Sequence, residues 1–256
     1  MYDLPEELQV EADGPIRIVT LNRPDALNAV NPTLHHALTD VWHHLGRDKE
    51  ARAVVLTGAG RAFSAGGDVA NFLRNQEDLA HRRQSILGAR HLVDAMIGFH
   101  LPVVTAINGP AVGLGCSLAI MSDVVIMSET AYLSDPHVKV GLVAGDGGAA
   151  FWPYLVGMLK AKELVMLGDR VPADEAVRLG LANKAVAPES LMDEAMTMAR
   201  RFAELSPSAV QDTKRAFNLH LRRAVEDVMH FALAAESESF DTPFVRESVE
   251  RIRNKG

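Results

Sequence analysis

Residues 54–69, VVLTGAGRAFSAGGDV, and residues 103–120, VVTAINGPAVGLGCSLAI, share one design: a β-branched run enters a glycine-rich turn and leaves as a helix. A helix opens with N–H groups that have no intrahelical acceptor, and its dipole adds partial positive charge there. Both features suit a negative charge developing on an oxygen atom. Glycine at 66, 67, 113 and 115 allows close backbone approach and positive φ. One such loop alone reads equally well as a tight αβ turn; the pair points towards an anion-stabilising pocket. Neither loop contains GxGxxG or GxxxxGK[ST], and Ser117 lacks GxSxG surroundings, so dinucleotide, ATP and serine hydrolase chemistry are disfavoured.

Around these loops the chain alternates strand and helix signals. IRIVTL at 16–21 reads as a strand broken by the turn-forming NRPDALN. Asn31 and Pro32 suit the N-cap and first position of a helix carrying Leu34, Ala37, Leu38, Val41 and Leu45 on one face. Strands follow at AVVLTG (53–58), PVVTAIN (102–108) and DVVIM (123–127), with helices at 79–99 and CSLAIM (116–121). That alternation predicts an α/β fold with a largely parallel sheet. Beyond Pro153 the pattern is almost wholly helical, with helices expected near 161–167, 173–179, 190–205 and 209–236. No flexible linker, low-complexity tract or solenoid repeat interrupts it. The expected organisation is an α/β core over 1–200 followed by a helical region over 201–256, together one functional unit.

Composition narrows the partners. With 256 residues, 48% hydrophobic and 23% charged, the chain can bury a sizeable core. A net charge of -7 argues against nucleic acid, whose binding requires clustered Lys and Arg. Cys116 is the single cysteine, so no intrachain disulfide forms and a reducing, cytoplasmic setting is expected. The start MYDLPEELQVEADGP lacks the basic and apolar regions of a signal peptide, and no apolar run reaches membrane-spanning length. His35, His36, His43 and His44 fall on the first long helix without a carboxylate or cysteine framework, so no metal site is expected.

Four motifs in order, LNRPDALNA, GRAFSAGGD, INGPAVGLG and GLVAGDGG, resemble those of the enoyl-CoA hydratase/isomerase (crotonase) superfamily, and the likeness spans nearly the whole chain. The resemblance implies a spiral of ββα turns with a helical C-terminal trimerisation region, assembled as a homotrimer or as a hexamer of two trimers. It implies a coenzyme A thioester substrate, no permanently bound cofactor, and an oxyanion hole formed by the N–H groups of Gly67 and Leu114. Leu114 stands where relatives usually carry glycine, but any residue except proline keeps the backbone donor. By the same similarity Arg23 and Ala26 flank the coenzyme's phosphates and adenine, Ala65, Gly66, Asp68 and Val69 line its curved nucleotide portion, and Lys255 reaches a neighbouring subunit's nucleotide. An arginine fork beside a turn proline suits phosphate, whereas Lys255 also reads as a solvated charge on a frayed terminus.

The chain departs from the family where hydratases carry two glutamates that hold one water. Those positions are Ser117 and His137. A serine hydroxyl is too weak an acid to replace a carboxylate as general base unaided, while an imidazole with a pKa of about 6.5 exchanges protons near neutrality. The expected arrangement is His137 oriented by Asp146, with Ser117 positioning water or substrate. His137 followed by GDG and then Trp152-Pro153 also resembles the 6-oxocamphor hydrolase branch, which cleaves a carbon–carbon bond of a β-diketone without coenzyme A. That similarity makes Glu236 a further acidic participant, against its reading as an exposed helix charge. The branch, however, has a histidine where this chain has Leu114, and it lacks the AGGD loop kept here. A third alternative is a non-catalytic acyl-CoA binding homologue. Cys116 reads as a small buried hydrophobe.

Overall fold

Strands form where β-branched residues run together, and helices where a cap precedes an apolar stripe. In a computed structural model describing residues 2–253, β1 (Leu8–Asp13) and β2 (Ile16–Leu21) form an antiparallel hairpin. Helix α1 (Pro32–Arg47) starts at Asn31, whose side chain accepts from Leu34 N, and buries Leu34, Ala37, Leu38, Val41, Trp42 and Leu45. Then come β3 (Ala53–Gly58), α2 (Val69–Glu77), α3 (Leu79–Gly98), β4 (Val103–Ile107), β5 (Ala111–Val112) and α4 (Leu114–Ile120). The next segments are β6 (Val124–Ser128), β7 (Tyr132–Ser134), α5 (His137–Val140), α6 (Gly148–Val156), α7 (Met158–Leu167), β8 (Val171–Pro172), α8 (Ala173–Leu179) and β9 (Lys184–Val186). Four helices follow: α9 (Leu191–Ala203), α10 (Pro207–Ala224), α11 (His230–Ser239) and α12 (Pro243–Arg253).

Six strands form one sheet in the order β1-β2-β3-β4-β6-β9, parallel except for β1; a second sheet has the order β5-β7-β8. The pairs β4/β5 and β6/β7 each give one strand to each sheet and then enter a helix. After β3 a single bridge from Ser64 to Ala111 takes the place of the second strand before α2. Three ββα turns therefore wind into a spiral.

The large sheet is covered on both faces, which explains its continuous apolar runs. On one face Val54 and Leu56 join Leu38, Trp42 and Leu92 of α1 and α3; on the other, Ala53 and Val55 pack with Leu191, Ala195 and Ala199 of α9. Trp42 and Phe99, with ring centroids 5.2 Å apart, anchor the first layer. The C-terminal helices are tied to this core: Val225, Met229 and Leu233 join the first layer, and buried Lys214 of α10 reaches Asp123 Oδ2 at 2.6 Å and Leu101 O at 2.8 Å.

Several elements differ from the sequence pattern, among them the short strands β5, β7 and β8 and the helices α5 and α6, none of which was expected. β1 and β9 lie where no strand was expected, because β1 shows mostly polar residues to solvent and β9 is three residues long. The helix expected over 209–236 is interrupted by a π-helical turn, Val225–Met229. Among the described residues no helix is long and apolar enough to cross a membrane.

Candidate active site

The two glycine-rich loops lie against each other. Val112 N donates to Ser64 O at 2.9 Å and Ser64 N to Pro110 O at 3.0 Å, while the buried Asn28 amide holds the carbonyls of Ala59 and Ala62. Gly66 has φ +88°, and a Cβ there would lie 2.6 Å from Val112 O, so only glycine fits this crossing. Leu114 is the first residue of α4, whose first internal bond runs from Ser117 N to Gly113 O. The N–H of Gly67 has no partner among the described residues. Both residues line one cavity of ≈ 350 Å³, together with Ala65, Gly66, Asp68, Val69, His137, Asp146 and Glu236.

His137 opens α5 just after β7. Its Nδ1 lies 2.5 Å from Asp135 Oδ1, and its Nε2 lies 3.7 Å from Asp146 Oδ2. The hydrogen-bonded orienting partner is therefore Asp135 rather than Asp146, because the short Asp135-Pro136-His137 turn puts that carboxylate directly behind the ring. Asp146 faces the other nitrogen at a distance beyond hydrogen bonding. Ser117 is also placed differently from the expectation: it is fully buried and donates to Asp146 Oδ1 at 3.1 Å, so it holds the carboxylate from behind. Asp135 was missed in the sequence, although its spacing from His137 across a proline was the available signal.

Glu236 of α11 is buried rather than exposed. Its Oε2 has no hydrogen-bond partner among the described residues and occupies the space that a Cβ on Gly145 would need, 2.3 Å away. Gly148 plays the same part for Asp135, whose Oδ2 would be 1.9 Å from an added Cβ. Two glycines in GDGG thus let buried carboxyl groups approach the backbone.

Three carboxyl groups and one imidazole crowd this site. Burial favours neutral His137, but Asp135, Asp146 and Glu236 outweigh it and hold its pKa well above the usual 6.5. Burial raises Asp146 against the pull of His137, with Asp135 adding to the rise. Burial pushes Glu236 up to about 8, reinforced by Asp146 and Asp135 and opposed by His137 and the Gly145 N–H. Glu236 is a neutral acid at pH 7. The Cys116 thiol is driven well above 9 by burial and by Asp135 and Asp146, which leaves it no nucleophilic thiolate.

These shifts set a pH dependence of stability. Between the ordinary carboxyl value of 4.5 and about 8, folded Glu236 keeps a proton that the unfolded chain has lost, so stability falls as pH rises through that window. His137 acts with the same sign: its contribution is complete below 6.5 and is lost as pH climbs through its raised folded value. Glu236→Gln is expected to flatten the decline in thermal midpoint between pH 5 and 8, measured by calorimetry; an unchanged slope would contradict the assignment.

Asp135, His137 and Asp146 also place three ligand-type atoms within 4.8 Å of one another. Ligands held about 2.0–2.2 Å from a metal ion sit roughly 3 Å or more apart in tetrahedral geometry, so the 2.5 Å contact between His137 and Asp135 reads as a hydrogen bond.

The expected coenzyme contacts divide. Ala65, Gly66, Asp68 and Val69 line the cavity, but Arg23 and Ala26 do not. The Arg23 guanidinium is held by Asp68 at 3.1 Å and by the Ala29 carbonyl, and Ala26 ends a short 3-10 turn, Pro24–Ala26. Lys255 lies outside the described residues.

Comparison with known proteins gives a consistent result. A profile of the family described as Enoyl-CoA hydratase/isomerase matches residues 11–256. The chain is 37% identical over 239 residues to the short-chain-enoyl-CoA hydratase of Clostridium acetobutylicum, covering 93% of this chain and 89% of that protein. It is 32% identical over 253 residues to the crotonyl-CoA hydratase of Syntrophomonas wolfei, covering 98% and 96%. A crystal structure of an enoyl-CoA hydratase/isomerase from Mycobacterium paratuberculosis superimposes with TM-score 0.93 at 50% identity, covering 98% of this chain and all of that one.

Proposed function

Because this chain belongs to the enoyl-CoA hydratase/isomerase family and is an enzyme of that family, we propose that it polarises an acyl-CoA thioester carbonyl on the N–H groups of Gly67 and Leu114 and moves protons through His137. The observation carrying this reading is that the residues Gly67 and Leu114 and the Asp135-His137-Asp146 row line or adjoin a single cavity. An oxygen atom about 2.8 Å from both His137 Nε2 and Asp146 Oδ2 fits over their 3.7 Å gap, which suits a water or a substrate hydroxyl.

Hydration of an enoyl thioester follows from these positions. Water held over the gap adds its oxygen to Cβ and gives a proton to Asp146, whose basicity is raised by burial. Negative charge moves to the thioester oxygen, where the two amides stabilise it. The imidazolium of His137 then protonates Cα, and transfer from Asp146 back to His137 restores the starting state. Asp135 fixes the ring and stabilises its charged form, while Ser117 holds Asp146. Ala65, Gly66, Asp68 and Val69, with Arg23, Ala26 and Lys255 nearer the nucleotide, make up the proposed coenzyme surface. Arg23 meets Asp68 and the Ala29 carbonyl through Nη1, which leaves its Nε and Nη2 donors for phosphate. No permanently bound cofactor enters the scheme. The proposed setting is the cytoplasm, with core and C-terminal helices acting as one unit in a homotrimer or a hexamer of two trimers.

A second reading, hydrolysis of a carbon–carbon bond in a cyclic β-diketone without coenzyme A, is favoured by one observation: the neutral, buried Glu236 in the cavity. Parallel assays separate the two. With crotonyl-CoA the enoyl-thioester absorbance is expected to disappear at a rate proportional to enzyme, and free coenzyme A is expected to bind in calorimetry. Ring opening of a bicyclic β-diketone, with every enoyl thioester inert, would overturn the first reading in favour of the second.

A further inference from the structure

The cavity is lined by a second group of polar residues besides the proton-transfer ones. Helix α2 places Asn71 and Asn75 one turn apart, and α3 presents His81 and Ser85 with the same spacing. The two helices meet through matched pairs: His81 Nε2 lies 2.7 Å from Asn71 Oδ1, and Ser85 Oγ donates to Asn75 Oδ1 at 2.8 Å. Those bonds use the amide oxygens. The amide nitrogens of both asparagines have no partner among the described residues.

His35 of α1 lines the same cavity. Its ring packs over Gly88, where an added Cβ would lie 3.2 Å from Cε1, and its side chain forms no hydrogen bond among the described residues. Burial, with His36 and His91 nearby, lowers its pKa to about 4, so it is neutral in ordinary buffers and offers one donor and one acceptor. These residues line the same cavity as Gly67 and His137. The wall also carries the apolar Val140, Leu142 and the packed rings of Phe72 and Phe240, together with the polar His36 and Gln84.

We infer that this polar group receives an oxygen atom carried on the acyl group away from the thioester, so that the preferred substrates are hydroxyl- or carbonyl-bearing acyl chains rather than plain alkyl chains. The inference rests on the acyl-CoA reading and adds a substrate class to it. An alkyl chain placed there strips water from the asparagine amides and His35 and returns no partner. A ligand oxygen accepts from those amides. A site built to hydrogen-bond a substrate group rejects analogues that lack it, because its own polar groups are then left unpaired. A few placed polar groups in a mostly apolar cavity are also what orients a small ligand.

Saturated thioesters test this without involving turnover. Dissociation constants of hexanoyl-CoA, 5-oxohexanoyl-CoA and 6-hydroxyhexanoyl-CoA are measured by calorimetry on the wild-type protein and on the double variant Asn71→Leu/His81→Leu, which removes one matched pair together. The expected result is that at least one oxygenated thioester binds about 10-fold or more tightly than hexanoyl-CoA, and that the preference shrinks in the double variant. Equal binding of all three, or a preference unchanged in the variant, overturns the polar site while leaving the acyl-CoA reading intact. Failure of all three to bind the wild-type protein overturns the acyl-CoA reading itself, and the inference with it.

Discussion

Replacing His137 with alanine is expected to lower kcat on an enoyl thioester by about 10²- to 10⁴-fold, the usual contribution of a positioned general acid or base. In the proposed scheme no other group both reaches the gap beside Asp146 and carries a proton at neutral pH on a ring fixed from behind. Glu236 is neutral there, but it sits against Gly145. Deleting the imidazole also takes the partner from buried Asp135 Oδ1, so some loss of stability accompanies the loss of rate. Asp135→Asn provides the complementary test: the ring keeps a neighbour but loses the negative charge that holds it protonated. Its kcat is expected to fall, and the apparent pKa of the pH–rate profile is expected to move down towards 6.5. A fully active His137→Ala enzyme, folded by circular dichroism, would remove His137 from the mechanism.

The second large effect concerns a side chain that takes no part. Leu114→Pro is expected to reduce kcat by about 10²- to 10³-fold, the cost of losing one oxyanion-hole donor, while Leu114→Ala stays within a few fold of wild type. The substitution is unusually selective here. Leu114 opens α4, a helix position where proline's fixed φ and missing N–H are tolerated, so the change removes the donor and leaves the helix. Preceding Gly113, with φ +50° and ψ -121°, is already outside the helical region that proline disfavours in its predecessor. Equal activity of the proline and alanine variants would show that this amide does not face the reacting oxygen.

Much of this was legible in the sequence where residues close in the chain also act together. The strands at Ile16–Leu21, Ala53–Gly58, Val103–Ile107 and Val124–Ser128 announce themselves as β-branched runs because both sheet faces are covered. The glycine-rich loops declare tight backbone approach for a similar local reason. β9 was not legible, since three residues joining a sheet edge carry no periodicity. Glu236 stayed open between an acidic participant and an exposed charge because a helix surface and a buried cavity wall look alike along the chain; Gly145, far away in the sequence, makes room for its carboxyl. The pairing of Arg23 Nη1 with Asp68 was not legible either, because the two residues are 45 positions apart. Asp135 lay in plain view two residues before His137, yet the more distant Asp146 drew attention because it sits in a recognisable motif.

The central claim is that the Gly67 and Leu114 amides polarise the carbonyl of a bound thioester, and vibrational spectroscopy reads that polarisation directly. The carbonyl stretch of isotopically labelled hexanoyl-CoA is compared in water, on the wild-type protein and on Leu114→Pro. The expected result is a clear shift to lower frequency on wild-type binding that is largely lost in the proline variant. A bound carbonyl with the same frequency as in water, or a shift of equal size in both proteins, would contradict the account.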